Sequence, residues 1–132
     1  NSMFARTLYT NYGIRAQINF KRPAREADSI LPYEHCFLLS IGDGLDGKKG
    51  RAHGGFSALL MDQMTGSVAF QLFGGLPPAT ATMTVDYKQP IDTPGVVLCR
   101  GWAVEKSGRK VWVRACLESD GRILASGKAL FI

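Results

Sequence analysis

One stretch of this chain repeats its apolar residues at helical spacing, and everything after it alternates with a period of two. Over residues 55–73, Phe56, Leu59, Leu60, Met64, Val68 and Leu72 recur at intervals that put them on one side of a helix. Gly74-Gly75 and Pro77 supply the stop. A single long helix with an apolar stripe cannot bury that stripe on itself, so the strands that follow must form the surface it packs against. The expected fold class is therefore α+β.

The strands read clearly downstream of the helix. Thr80, Thr82, Thr84 and Asp86 oppose Ala81, Met83, Val85 and Tyr87 on alternate faces, and Pro90 ends the run. Three more strands are expected near residues 95–106, 111–118 and 122–132, joined at Ser107-Gly108 and Asp120-Gly121 by turns that suit antiparallel hairpins. Together these four predict an antiparallel meander. Upstream, residues 34–41 read as a strand and residues 42–50 as a long glycine-rich loop that ends at His53. Residues 1–33 divide into an arm or short helix over 1–12 and an extended piece over 14–21 that Pro23 stops, leaving 34–132 as the main domain.

The chain has 132 residues, 45% of them hydrophobic, which suits a single core. Its longest uncharged run, residues 63–85, contains Gly74-Gly75 and Pro77-Pro78, so no membrane span is expected. No secretory signal pattern and no Asn-x-Ser/Thr acceptor occur. Cys36, Cys99 and Cys116 are odd in number, far apart and set in apolar runs, which suits free buried thiols rather than a disulfide or metal framework. An intracellular setting, cytoplasmic or mitochondrial, follows, with no metal and no cofactor expected. A net charge of +5 suits an anionic ligand. Nucleic acid is disfavoured because it would want a basic stripe with exposed aromatics, whereas the aromatic residues here lie mostly in strand-like runs.

Two features carry chemistry. On a helix, Asp62 shares a face with the small residues Ala58, Thr65, Gly66 and Ala69, so something approaches that face closely. An acid there must be paired, solvated or functional. At the helix entrance, His53-Gly54-Gly55 offers free N–H groups at the positive end of the helix dipole, with glycines that allow a close approach to the backbone. Such N–H groups can act as an oxyanion hole. Asp62 lies eight residues beyond Gly54, about 12 Å along a helix at 1.5 Å per residue. One carbonyl cannot touch both within a single chain, so a shared reaction requires a two-fold dimer, or a dimer of dimers, with Gly54 from one copy and Asp62 from another.

The run Gly50-Arg51-Ala52-His53-Gly54-Gly55, with Asp62 seven residues past the second glycine, resembles the HGG-x6-D helix entry of hotdog-fold acyl-CoA thioesterases of the phenylacetate-pathway type. Thr80, Val85, Tyr87 and Pro90 are similar to that family's T-x-x-x-x-V-x-Y-x-x-P strand, and residues 4–8 with 14–23 to its fungal members. The resemblance implies a homodimeric thioester hydrolase. In it Gly54 supplies the oxyanion N–H, Asp62 is the general base or nucleophile, Thr80 helps hold water, and His53 and Gly55 complete the entry motif. The substrate would be an acyl-CoA or an acyl-carrier thioester. Family members often carry an asparagine in the loop before HGG, where this chain has Asp46-Gly47; an aspartate cannot donate as an amide does. Lys48, Lys49, Arg51, Lys106, Arg109 and Lys110 are the candidates for CoA phosphates. Met61, Met64, Phe70, Phe73 and Trp102 are either acyl-tunnel lining or plain core. A hotdog dehydratase or hydratase, and a thioester-binding protein without turnover, are the alternative readings; the first would want a catalytic histidine, and His35 is the only one besides His53.

Overall fold

The computed structural model describes residues 2–132. Asn1, the first residue of the expected arm, lies outside them. A helical turn at Phe4–Leu8 opens the chain and buries Phe4. Strands β1 (Ile14–Pro23) and β2 (Tyr33–Ile41) follow, then a 3-10 turn at Asp43–Leu45, the short strands β3 (Asp46–Lys48) and β4 (Arg51–Ala52), and helix α1 (Gly54–Leu72). Strands β5 (Thr80–Tyr87), β6 (Gly95–Ser107), β7 (Lys110–Ser119) and β8 (Arg122–Phe131) complete the chain.

Helix and strands form where their periods predict, to within a residue or two. Two expectations are corrected. The strands after the helix are not a simple meander: the six-stranded antiparallel sheet runs β1-β2-β6-β7-β8-β5, so β5 lies at the far edge beside β8 while β6 pairs with β2. The reason is that α1 needs a surface on both of its flanks, and strands on either side of the sheet's centre provide it. The region over residues 42–50, expected as a long glycine-rich loop, is not loop throughout. It closes as a small β3–β4 hairpin with Gly50 at a φ of 79°, a left-handed conformation that a residue with Cβ would adopt only under strain.

Strand β1 uses the extended piece of the N-terminal stretch as the other edge of the same sheet, with Asn19 opposite Phe37 and Lys21 opposite His35. The sheet curls around α1. Leu60, Met61, Met64, Val68 and Ala69 of the helix are buried against Val97, Cys99, Val113, Ala115, Ala129 and Phe131. Gly101 makes the closest passage possible: a Cβ there would stand 2.6 Å from Met64 Cγ. Met61 and Met64 are both 0% exposed, so they are core and not tunnel.

On the sheet's other face lies a charged layer. Arg100 donates to Glu26 at 2.7 Å, Glu118 at 3.1 Å and the fully buried Glu34 at 3.4 Å, and Arg22 pairs with Glu34 at 2.8 Å. Trp102 belongs to this face, its indole N–H donating to Asp28 at 2.8 Å. It therefore lies away from the helix and lines no acyl tunnel. Glu26 and Asp28 come from the β1–β2 connection, which folds back over the sheet and donates from Ile30 N–H to the Ala103 carbonyl at 2.9 Å. All three cysteines are free and buried; burial pushes the Cys36 thiol up to about 11 and the Cys116 thiol up to about 12.

Candidate active site

The helix begins at Gly54 because His53 caps it. His53 has extended backbone (φ −62°, ψ 138°), and its Nδ1 accepts the Gly55 N–H at 2.7 Å. That contact has two consequences. The ring carries no proton on Nδ1, so its Nε2 is the free nitrogen, and the Gly55 amide is already used. The Gly54 N–H, in contrast, donates to nothing among the described residues. Of the two glycines, only Gly54 has an amide open to a ligand.

Tyr87, at the end of β5, holds this turn from above by donating its hydroxyl to the Gly54 carbonyl at 2.7 Å. Sequence reasoning placed Tyr87 in the strand pattern but gave it no role. Its partner is 33 residues away, and nothing local marks it. Gly54, Ser57, Tyr87, Lys88 and Pro90 line a cleft of about 330 Å³.

Asp62 lies two turns further along α1, half-buried, and accepts the Thr80 hydroxyl on Oδ1 at 2.8 Å. It makes no ion pair among the described residues. Asp62, Gly66, Phe70, Pro77, Pro78, Thr80 and Phe131 line a second cleft, of about 420 Å³. The small residues on this face have a partner: Gly66 packs against Phe131, and Thr65 and Ala69 are buried. Phe70 is thus the one member of the expected tunnel that lines the cleft, since Phe73 packs against the core. Asp62 and Thr80 are brought together, whereas Gly54 opens into a different cleft at the other end of β5.

Asp46 is committed elsewhere. Its Oδ2 accepts the Gly50 N–H at 2.8 Å and braces the turn of the β3–β4 hairpin, while its Oδ1 accepts the Thr93 hydroxyl and fastens that hairpin to the β5–β6 connection. The basic candidates are exposed and divided: Lys48, Lys49 and Arg51 are on that hairpin next to His53, while Lys106, Arg109 and Lys110 are at the β6–β7 turn, level with Thr80. One chain does not gather them into one site. Neither histidine lines the Asp62 cleft. Burial and, secondarily, Lys21 hold the His35 pKa below its usual value. No group of His, Cys, Asp and Glu suited to a metal ion occurs among the described residues.

A six-stranded antiparallel sheet wrapped around one long helix, with an acid on the helix and a glycine amide at its entrance, is the hotdog architecture. The family model described as the thioesterase superfamily matches residues 49–126, and the chain belongs to that superfamily. It is 38% identical over 97 residues to acyl-coenzyme A thioesterase THEM4 of Xenopus laevis, an alignment covering 72% of this chain and 43% of that protein. The chain therefore spans less than half the length of that curated relative. Among solved structures, the thioesterase superfamily protein RHA08564 is 27% identical with a TM-score of 0.67, over 75% of this chain and 48% of that one. A hypothetical thioesterase from Streptococcus pneumoniae, solved with coenzyme A, shares the fold at a TM-score of 0.71 and 18% identity, covering 87% of each chain. No helix among the described residues is long and apolar enough to cross a membrane.

Proposed function

We propose that this chain hydrolyses acyl-CoA thioesters in a site assembled from two copies. The observation that carries the reading is Asp62, an acid without an ion-pair partner, fixed by the Thr80 hydroxyl on the wall of a cleft. With Oδ1 held by Thr80, Oδ2 is left to take a proton from water or to attack directly. As the thioester carbonyl becomes tetrahedral, its oxygen gains charge and is met by the Gly54 N–H at the helix entrance. The carbon–sulfur bond then breaks and CoA leaves as a thiolate, which needs little help from a general acid.

A single chain supports no such meeting, because the Gly54 and Asp62 clefts have no lining residue in common. Strand β5 supplies the way to join them. It is an edge strand, exposed along most of its length, with Thr80 at the Asp62 end and Tyr87 at the Gly54 end. Antiparallel pairing of β5 with its own copy, about a two-fold between Met83 and Thr84, sets Thr80 of one chain level with Tyr87 of the other. Each Asp62 cleft then abuts a Gly54 cleft. Lys48, Lys49 and Arg51 flank the Gly54 side, with Lys88 in its wall, and are the phosphate contacts for CoA; Arg109 and Lys110 flank the other side. The buried, protonated thiols fit a reducing compartment.

The test is turnover of an acyl-CoA panel by wild type and by Asp62→Asn. Hydrolysis well above background in the wild type, with a loss of at least a hundredfold in the variant, supports the reading at the scale expected for a general base. Equal rates in both proteins remove Asp62 from the reaction.

A further inference from the structure

The Asp62 cleft has a second cavity behind it. Along α1 the cleft runs from Asp62 past Gly66 and Phe70 to Gln71, roofed by Pro77 and Pro78. Across the helix edge, a groove of about 290 Å³ lies between α1 and the β1–β2 edge, with Phe20, Phe37 and His35 among its walls. Ser67 and Gln71 line both spaces. What stands where they meet is one contact: Lys21 Nζ donates to Gln71 Oε1 at 3.0 Å, tying the edge strand to the helix. Lys21 is steadied from the other side by the Tyr33 ring, 4.8 Å from its ammonium.

We propose that the Lys21–Gln71 hydrogen bond is the end wall of the acyl-binding cleft and disfavours acyl groups longer than the cleft. This rests on the thioesterase reading. With the thioester carbonyl at Asp62, the acyl group extends over Gly66 and the apolar surfaces of Phe70, Pro77, Pro78 and Phe131. Gln71 is nine residues past Asp62, about 13.5 Å along the helix. A chain longer than that reach meets the amide of Gln71 and the ammonium of Lys21, neither of which is stabilised by an alkyl tail. Beyond the wall the groove continues past Phe37, with Asn19 and His35 beside it, so removing the wall joins the two spaces into one longer channel. Because the contact is a single exposed hydrogen bond, it discriminates by a moderate factor and is not an absolute block.

The experiment compares octanoyl-CoA with hexadecanoyl-CoA, in hydrolysis and in calorimetric binding, for wild type, Lys21→Ala and Lys21→Arg. In Lys21→Ala the ratio of kcat/KM for hexadecanoyl-CoA over octanoyl-CoA should rise about two- to tenfold, the span of one hydrogen bond. Lys21→Arg, which still donates to Gln71, should keep the wild-type ratio. An unchanged or lower ratio in Lys21→Ala overturns the end wall. If wild type turns over neither thioester, the hydrolytic reading fails, and the ratio of dissociation constants decides the wall by the same criterion.

Discussion

At the level of single residues, the chemistry depends on which polar atoms are occupied and which are left open. Thr80 occupies one oxygen of Asp62, His53 occupies the Gly55 amide, and Asp46 spends one oxygen on the turn of its own hairpin and the other on Thr93. Asp62 and Thr80 were legible as positions because both belong to sequence patterns, although their hydrogen bond to each other was not expected. The commitments of His53 and Asp46 were not, since each depends on where the side chain turns in space. Thr80→Val keeps the shape and removes the hydroxyl, so kcat should fall about tenfold, as for a hydrogen bond to a charged group, while Thr80→Ser retains most of it. A steady-state comparison of the two variants checks this. His35 yields a separate prediction about stability. Its folded pKa lies below the ordinary 6.5, so the unfolded chain binds the proton more readily. Stability from this residue is complete above pH 6.5 and declines as pH falls through that value towards the folded pKa. Denaturant titrations over that range should show wild type losing stability with acid more steeply than His35→Gln.

Among the elements, the long helix and the four later strands were readable because each holds one period for eight residues or more. Strands β3 and β4, of three and two residues, are too short to show a period and escaped notice. The order of strands also escaped it, because neighbours in sequence are not obliged to pair, and the helix decides which strands flank it. Helix and sheet meet most tightly at Gly101. Gly101→Ala places a methyl 2.6 Å from Met64 Cγ and 3.4 Å from the Arg114 carbonyl, so Met64 must shift within a packed core. A cost of about 1–3 kcal/mol is expected, seen as a Tm lower by several degrees. An unchanged Tm would mean that α1 can slide on the sheet. The β1–β2 connection over the outer face was equally hidden, since its attachment runs through Glu26 and Asp28 to residues more than 70 positions away.

For the molecule as a whole, the central claim is that neither copy is a complete enzyme. Helix geometry alone puts Gly54 and Asp62 about 12 Å apart, and the fold keeps them in separate clefts joined by one exposed edge strand. Gly54→Pro is a clean way to delete the amide: position 54 opens the helix, where proline is tolerated, and the His53 ψ of 138° suits a residue before proline. Asp62→Asn deletes the proposed base. Each variant alone should be nearly inactive. Mixed, unfolded together and refolded, the two should pair at random, and half of the dimers would carry one intact site formed by Asp62 of one chain and Gly54 of the other. Recovery of about a quarter of the wild-type acyl-CoA hydrolysis is the predicted result. A mixture no more active than its separate components would contradict a site shared between chains.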